Sequence, residues 1–141
     1  MAKIEALQTE YEQMDRRMET RPEASIDAAC LLAFDYDYEG SDAEVVIDST
    51  EFTAVCPWTG LPDFGKLTIS YVPDGQCIEL KSLKYYLLSF MGVGIVHEHA
   101  ANRILEDLVA VCRPVRMSVE LDYNVRGGLH ARVTARYERD A

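Results

Sequence analysis

From residue 43 onward the apolar positions fall into two periods. A period of two runs through Ala43 to Ile47 and through Lys66 to Val72, where Leu67, Ile69 and Tyr71 share a face. It returns in Met117, Val119, Leu121 and Tyr123, and again in Leu129, Ala131, Val133, Ala135 and Tyr137. Successive side chains of a strand point to opposite faces, so each run reads as a strand with one buried side. Between the two pairs of runs the period lengthens. Glu79 to Met91 sets Leu80, Leu83, Leu87 and Phe90 on one stripe, and His97 to Cys112 does the same with Ala101, Ile104, Leu105, Leu108 and Cys112. Both stripes match a helix of about 3.6 residues per turn. Gly92-Val93-Gly94 reads as a flexible connector between the helices, and Asn124 to Gly128 as a hairpin whose Gly127 and Gly128 are free to take positive φ. The order strand, strand, helix, helix, strand, strand predicts an α+β fold: an antiparallel four-stranded sheet with two helices on one face.

Upstream, Ile4, Leu7, Tyr11, Met14 and Met18 recur at steps of three and four through residues 3–19, one apolar stripe on a helix. Arg21-Pro22 ends it, because the residue before proline disfavours the helical region. Packing of this helix on its own domain is the plainer expectation, and an intersubunit helix the sharper one. Residues 20–43 follow as an irregular, acidic connector with an apolar segment at Ala28 to Phe34. The chain thus divides into 1–40, an N-terminal amphipathic helix and acidic connector, and 41–141, the α+β domain.

At 141 residues the chain is one domain long, enough to bury about 68–70% of its unfolded surface without a disulfide or metal staple. Cys30, Cys56, Cys77 and Cys112 are widely spaced with no Cys-x-x-Cys pair, which points to reduced thiols and a cytoplasmic protein. With no long apolar run and an acidic N-terminus, neither a membrane span nor a secretory signal is expected. The net charge of -10 is concentrated in residues 1–51, which hold 14 of the 24 acidic residues but only 4 of the 14 lysines and arginines. A field of that sign argues against direct nucleic-acid binding and leaves room for a small anionic cofactor held by local cations.

Four features carry candidate chemistry. Cys56 and Asp63 lie in Glu51–Phe64, a proline-punctuated segment between two predicted strands. A thiol is the strongest ordinary nucleophile, and a carboxyl group nearby passes protons to what it attacks. Taken singly, Cys56 reads as a small buried hydrophobe and Asp63 as a turn residue; together in one loop they read as a site. In Glu79-Leu80-Lys81-Ser82-Leu83-Lys84-Tyr85-Tyr86, Lys81 and Lys84 share a helix face near the N-terminus, against the helix dipole, where two cations suit a phosphate better than they suit stability. In His97-Glu98-His99 the two histidines point in different directions on a helix, so no metal is expected; Glu98 reads as a helix cap or as a partner for the N–H edge of a guanine-like base. Arg126-Gly127-Gly128 reads as a hairpin tip or a phosphate contact.

Taken in order, Glu51–Phe64, the octapeptide from Glu79, His97-Glu98 and Arg126-Gly127-Gly128 resemble the NADPH-dependent 7-cyano-7-deazaguanine reductases, nitrile reductases of queuosine biosynthesis in the tunnelling-fold superfamily, over about residues 44–138. The resemblance implies a cytoplasmic homo-oligomer of tunnelling fold, its subunits in rings stacked as a decamer. It implies catalysis by Cys56 through a covalent thioimide, with Asp63 as general acid and His97 assisting. It further implies substrate binding by Glu98, Glu79, Ser82 and His97, and NADPH binding by Lys81, Lys84, Arg126 and Gly127. Many members of that family carry Arg-Asn where this chain has Met91-Gly92, and an aromatic residue where it has Val96. The alternatives are an amidinotransferase-like relative using the same thioimide, a purine- or pterin-binding module without turnover, and a zinc cyclohydrolase.

Overall fold

The computed structural model describes residues 3–14 and 18–140. Strands β2 (Val45–Val55), β3 (Pro62–Val72), β5 (Arg116–Tyr123) and β6 (Arg132–Glu138) form one antiparallel sheet in the order β2-β3-β5-β6. Leu67, Ile69 and Tyr71 of β3 and Met117, Val119, Leu121 and Tyr123 of β5 face inward. Helix α3 (His97–Cys112) lays Ala101, Ile104, Leu105, Leu108 and Cys112 on that side, and helix α2 (Leu80–Leu88) adds Leu83 and Tyr86. The other face carries Lys66, Thr68 and Ser70 beside Asp122, Glu120 and Ser118. One face covered by helices and one polar face is the layering that the alternating periods predict.

Three segments differ from the sequence-based expectation. The first hairpin is longer, because β2 runs on to Val55 and β3 starts at Pro62. A bulge hides this extension: the register jumps from Ser49↔Leu67 to Phe52↔Gly65, so Val45 and Ile47 before it and Phe52 and Ala54 after it follow opposite parities. Second, the connector is not wholly irregular. Ile26 and Leu31 enter the core, and β1 (Ala33–Asp35) pairs antiparallel with β4 (Gln76–Ile78). Strands of three residues are too short to leave a periodic signal. Third, Gly92-Val93-Gly94 is an extended, pinned segment: Val93 is fully buried and bridges Arg21, and Gly94 bridges Val55.

The N-terminal helix is also shorter than its stripe, with a 3-10 turn at Ile4–Leu7 and α1 at Gln8–Met14; residues 15–17 of the predicted helix lie outside the described residues. It does not pack on its own domain, since Ile4 is 79% and Met14 74% exposed. Periodicity creates an apolar face but does not supply a surface to cover it.

Leu108 is fully buried at the centre of α3. Leu108→Ala is expected to lower the unfolding free energy by about 2–5 kcal/mol, read as a reduced urea midpoint at unchanged slope.

Candidate active site

The turn after β2 presents Cys56. Its amide N–H donates to Leu61 O at 2.9 Å and its carbonyl accepts from Gly60 N–H at 2.8 Å, closing a tight loop between the strands. Gly60 has φ +73°, and a Cβ there would stand 2.7 Å from the Met18 carbonyl oxygen, so glycine is required twice over. The half-buried Cys56 thiol is held below its ordinary value, first by the hydrogen-bonding side chain of Thr59 and then by the backbone amides of Thr59 and Trp58. Partial burial and the Asp63 charge work the other way. A thiolate favoured by donors, with its sulfur open to a cleft, is the setting a reactive cysteine needs.

Asp63 lies opposite Ala54 in the β2–β3 ladder and is only 4% exposed. One carboxylate oxygen accepts from the Arg126 guanidinium and the other pairs with His97 Nε2 at 3.2 Å. The Arg126 donor comes from a four-residue turn in which Arg126 and Leu129 exchange backbone hydrogen bonds of 2.9 Å, with Gly127 at φ +57° and Gly128 at +79°. Two successive positive φ values define a hairpin turn of the type glycine favours. His97 opens α3, and its ring stacks on Tyr123 at 3.7 Å between centroids and 13° between planes. Burial, helped by the charges of Asp63 and Glu98, pushes the Tyr123 hydroxyl well up, so it stays neutral at physiological pH.

These groups meet in a cleft of about 300 Å³ lined by Cys56, Trp58, Asp63, His97, Glu98 and Arg126, with Pro57, Ile95 and Val96 completing its wall. Glu98 sits exposed in the first turn of α3; the N-cap is Val96, which makes no side-chain cap. The remaining candidates lie on α2, outside this lining. Glu79 caps α2, its carboxylate accepting from the amides of Lys81 at 2.8 Å and Ser82 at 3.0 Å. Ser82 Oγ donates to Glu79 O and accepts from Leu32 N–H at 3.0 Å. Lys81 and Lys84 stand exposed, and among the described residues neither forms a salt bridge. Gly127 lies in the open next to Arg126. Among the described residues no three His, Cys, Asp or Glu side chains cluster as metal ligands. Tyr123 and Thr59 were missed by sequence reasoning: the first appears there only as one more alternating strand position, and the second carries no signal beyond its place in the turn after Cys56.

A tunnelling-fold domain with a cysteine and a buried carboxylate facing one cleft is the class that fold and site define together. The chain belongs to the QueF-like family: residues 62–141 match the family described as QueF-like protein. Among its relatives is the NADPH-dependent 7-cyano-7-deazaguanine reductase of Chlorobaculum tepidum, 54% identical over 109 residues, 77% of this chain and 93% of that protein. The protein of the same name from Thermoanaerobacter pseudethanolicus is 46% identical over 126 residues, covering 89% of this chain and 95% of its own. A crystal structure of the archaeosine synthase QueF-Like in the apo form superposes with a TM-score of 0.65 at 24% identity, over 72% of this chain and 99% of that one, a likeness of fold.

Thr59→Val removes the donor that most favours the Cys56 thiolate. The pH midpoint of Cys56 alkylation is expected to rise, slowing iodoacetamide labelling at neutral pH. Labelling of Cys30, whose thiol is pushed up by burial and by Asp27, serves as the internal reference in peptide-resolved mass spectrometry.

Proposed function

We propose that this protein reduces the nitrile of 7-cyano-7-deazaguanine to the primary amine 7-aminomethyl-7-deazaguanine with NADPH, the activity named for its relatives, and so serves queuosine biosynthesis in the cytoplasm. The observation that carries this reading is the convergence of Cys56, Asp63, His97 and Glu98 on one cleft. Nitrile carbon is electrophilic but inert, and a thiolate converts it into a C=N acceptor held in place. Cys56 sulfur adds to that carbon while the Asp63–His97 pair delivers the proton the nitrogen takes up, giving a thioimide. When bound, NADPH would supply the two hydrides, one from each of two molecules, that with one further proton carry the carbon to the amine. When the C–S bond breaks, sulfur leaves as the thiolate that its turn donors favour, and Cys56 is ready for another round. Protons enter through His97, which pairs with the buried carboxylate and itself lines the cleft. Glu98 receives N–H donors of the deazaguanine edge, each charge-assisted bond contributing about 1.5–3 kcal/mol.

The residues present fit a dinucleotide phosphate in one respect: Lys81 and Lys84 form an exposed cationic face on α2 with no salt bridge among the described residues. They would hold the cofactor together with Arg126 and Gly127. Arg126 is 47% exposed and keeps guanidinium donors beyond those given to Asp63. Because the α2 residues do not line this chain's cleft, Glu79, Ser82, Lys81 and Lys84 serve the cleft of a neighbouring copy in a homo-oligomer, rings of subunits stacked as a decamer. Two observations support an assembly. Among the described residues no strand lies beside the outer edge of β6, and β2 meets there only the bridge at Val55; Trp58, which lines the cleft, and Leu61, Phe64 and Val125 are exposed apolar side chains.

NADPH absorbance followed with 7-cyano-7-deazaguanine tests the reading. Turnover is expected, together with a substrate adduct on Cys56 by intact mass, and Cys56→Ala abolishes both. Ligand binding with neither adduct nor NADPH consumption in the wild-type protein would make it a binding module instead. Asp63→Asn is expected to lower kcat by about 10²- to 10⁴-fold. In a Lys81→Ala, Lys84→Ala double variant the KM for NADPH rises while Cys56 alkylation is unchanged.

A further inference from the structure

Residues 18–21 are fastened to both segments that enter the site. Met18 N–H donates to Thr59 O at 3.1 Å, Arg21 N–H to Gly92 O at 2.7 Å, and Gly94 N–H to Arg21 O at 3.0 Å. One layer further in the pattern repeats, with Val55 N–H on Val93 O at 2.9 Å and Ile95 N–H on Val55 O at 3.1 Å. Two lines of this ribbon lead directly into the cleft, Val55 into Cys56 and Ile95 into Val96-His97.

The Arg21 side chain anchors the outer line. Its Nη1 donates to Met91 O at 2.7 Å and lies 3.5 Å from Ser89 O, carbonyls just past the end of α2 that have no helical partner. The packing leaves little slack. A Cβ on Gly94 would stand 3.2 Å from Pro57 Cα and 3.4 Å from Thr20 Cβ, and one on Gly92, at φ +77°, would stand 3.4 Å from Arg21 Cδ. The Met91-Gly92 pair therefore fits the arginine stem, one residue by its carbonyl and the other by having no side chain.

We propose that Met18–Arg21, anchored by Arg21, is a positioning strap that fixes the Cys56 turn against the His97 end of α3. The strap holds Thr59 from behind through the Met18 bond, and Thr59 is the residue that most favours the Cys56 thiolate. Arg21 is not among the residues lining the cleft, so it acts through the turn and the connector. The proposal rests on Cys56 being the nucleophile of the reaction proposed above.

The test compares the full-length protein with Arg21→Ala, Arg21→Lys and Met18→Pro, the last removing the N–H that reaches Thr59 together with the methionine side chain and fixing φ at that position. In Arg21→Ala and Met18→Pro the pH midpoint of Cys56 alkylation is expected to rise while that of Cys30 stays put. In the same two variants kcat falls about 10-fold or more at unchanged KM for NADPH, since small misplacements of reacting groups are costly. Arg21→Lys retains a donor for Met91 O and recovers most of both. Wild-type alkylation profiles and kcat in Arg21→Ala would overturn the strap, as would a parallel change at Cys56 and Cys30, which signals general loosening. If Arg21→Ala does not fold, Met18→Pro decides by the same criteria. Absence of turnover in the wild-type protein refutes the nitrile-reductase reading, whereas the alkylation profiles still report on the strap.

Discussion

A carboxylate buried to 4% exposure is the constraint around which the working half of this molecule is arranged. Taking such a charge out of water costs on the order of several kcal/mol unless donors replace the lost solvent. Asp63 sits on a strand, where neighbouring backbone is already committed to the sheet, so its donors have to arrive from elsewhere. Arg126 comes from the β5–β6 turn and His97 from the start of α3. Three elements distant in sequence thereby converge on one side chain, and the cleft is the space they leave. The same constraint orders the second tier. His97 is held flat against Tyr123, so the imidazole cannot turn away from the carboxylate without breaking a stacked contact.

The middle of the fold was legible because its signals are long and single-phased. β3, β5, α2 and α3 each bury one face, and counting apolar positions finds them near their observed places. What escaped has a physical reason in each case. β2 changes phase at its bulge, so no period of two spans it. β1 and β4 are three residues each. The segment around Val93 is held by backbone hydrogen bonds to Arg21 and Val55, which no side-chain pattern encodes. The site was legible in its chemistry more than in its geometry. Cys56, Asp63, His97, Glu98 and Arg126 stood out by residue type and neighbours, yet nothing in the order of residues tells that Arg126 reaches Asp63.

The octapeptide beginning at Glu79 separates into two jobs once its environment is known. Glu79 ties down the first amides of α2, Ser82 pins the incoming Leu32 backbone, and Leu83 and Tyr86 enter the core, the latter bonding Asp107 through its hydroxyl at 2.6 Å. Asp107 also receives Arg103, so α2 and α3 are joined by a small polar network at their contact. Within the chain each of these four positions has a part in the fold. Lys81 and Lys84 stand exposed against the helix dipole and form no salt bridge among the described residues, Lys84 Nζ lying 5.4 Å from the Tyr85 ring centroid. The motif thus builds a rigid helix start and carries two exposed cations on it.

The bulge in β2 has a consequence beyond lengthening a hairpin. Before it, Val45 and Ile47 pack against the core; after it, Phe52 and Ala54 lie within it. β3 has no such slip, and Asp63 shares the odd-numbered inward series of Leu67 and Ile69. The closed Cys56–Leu61 turn holds Phe52 and Ala54 in register with Gly65 and Asp63, so without the extra residue at Thr50-Glu51 it is Val45 and Ile47 that would turn to the polar face. A single surplus residue thus lets a strand anchored at its turn end keep apolar side chains on the core side on both sides of the bulge. A one-residue deletion there would leave the turn end in place and send the apolar side chains of the first half of the strand to the wrong surface.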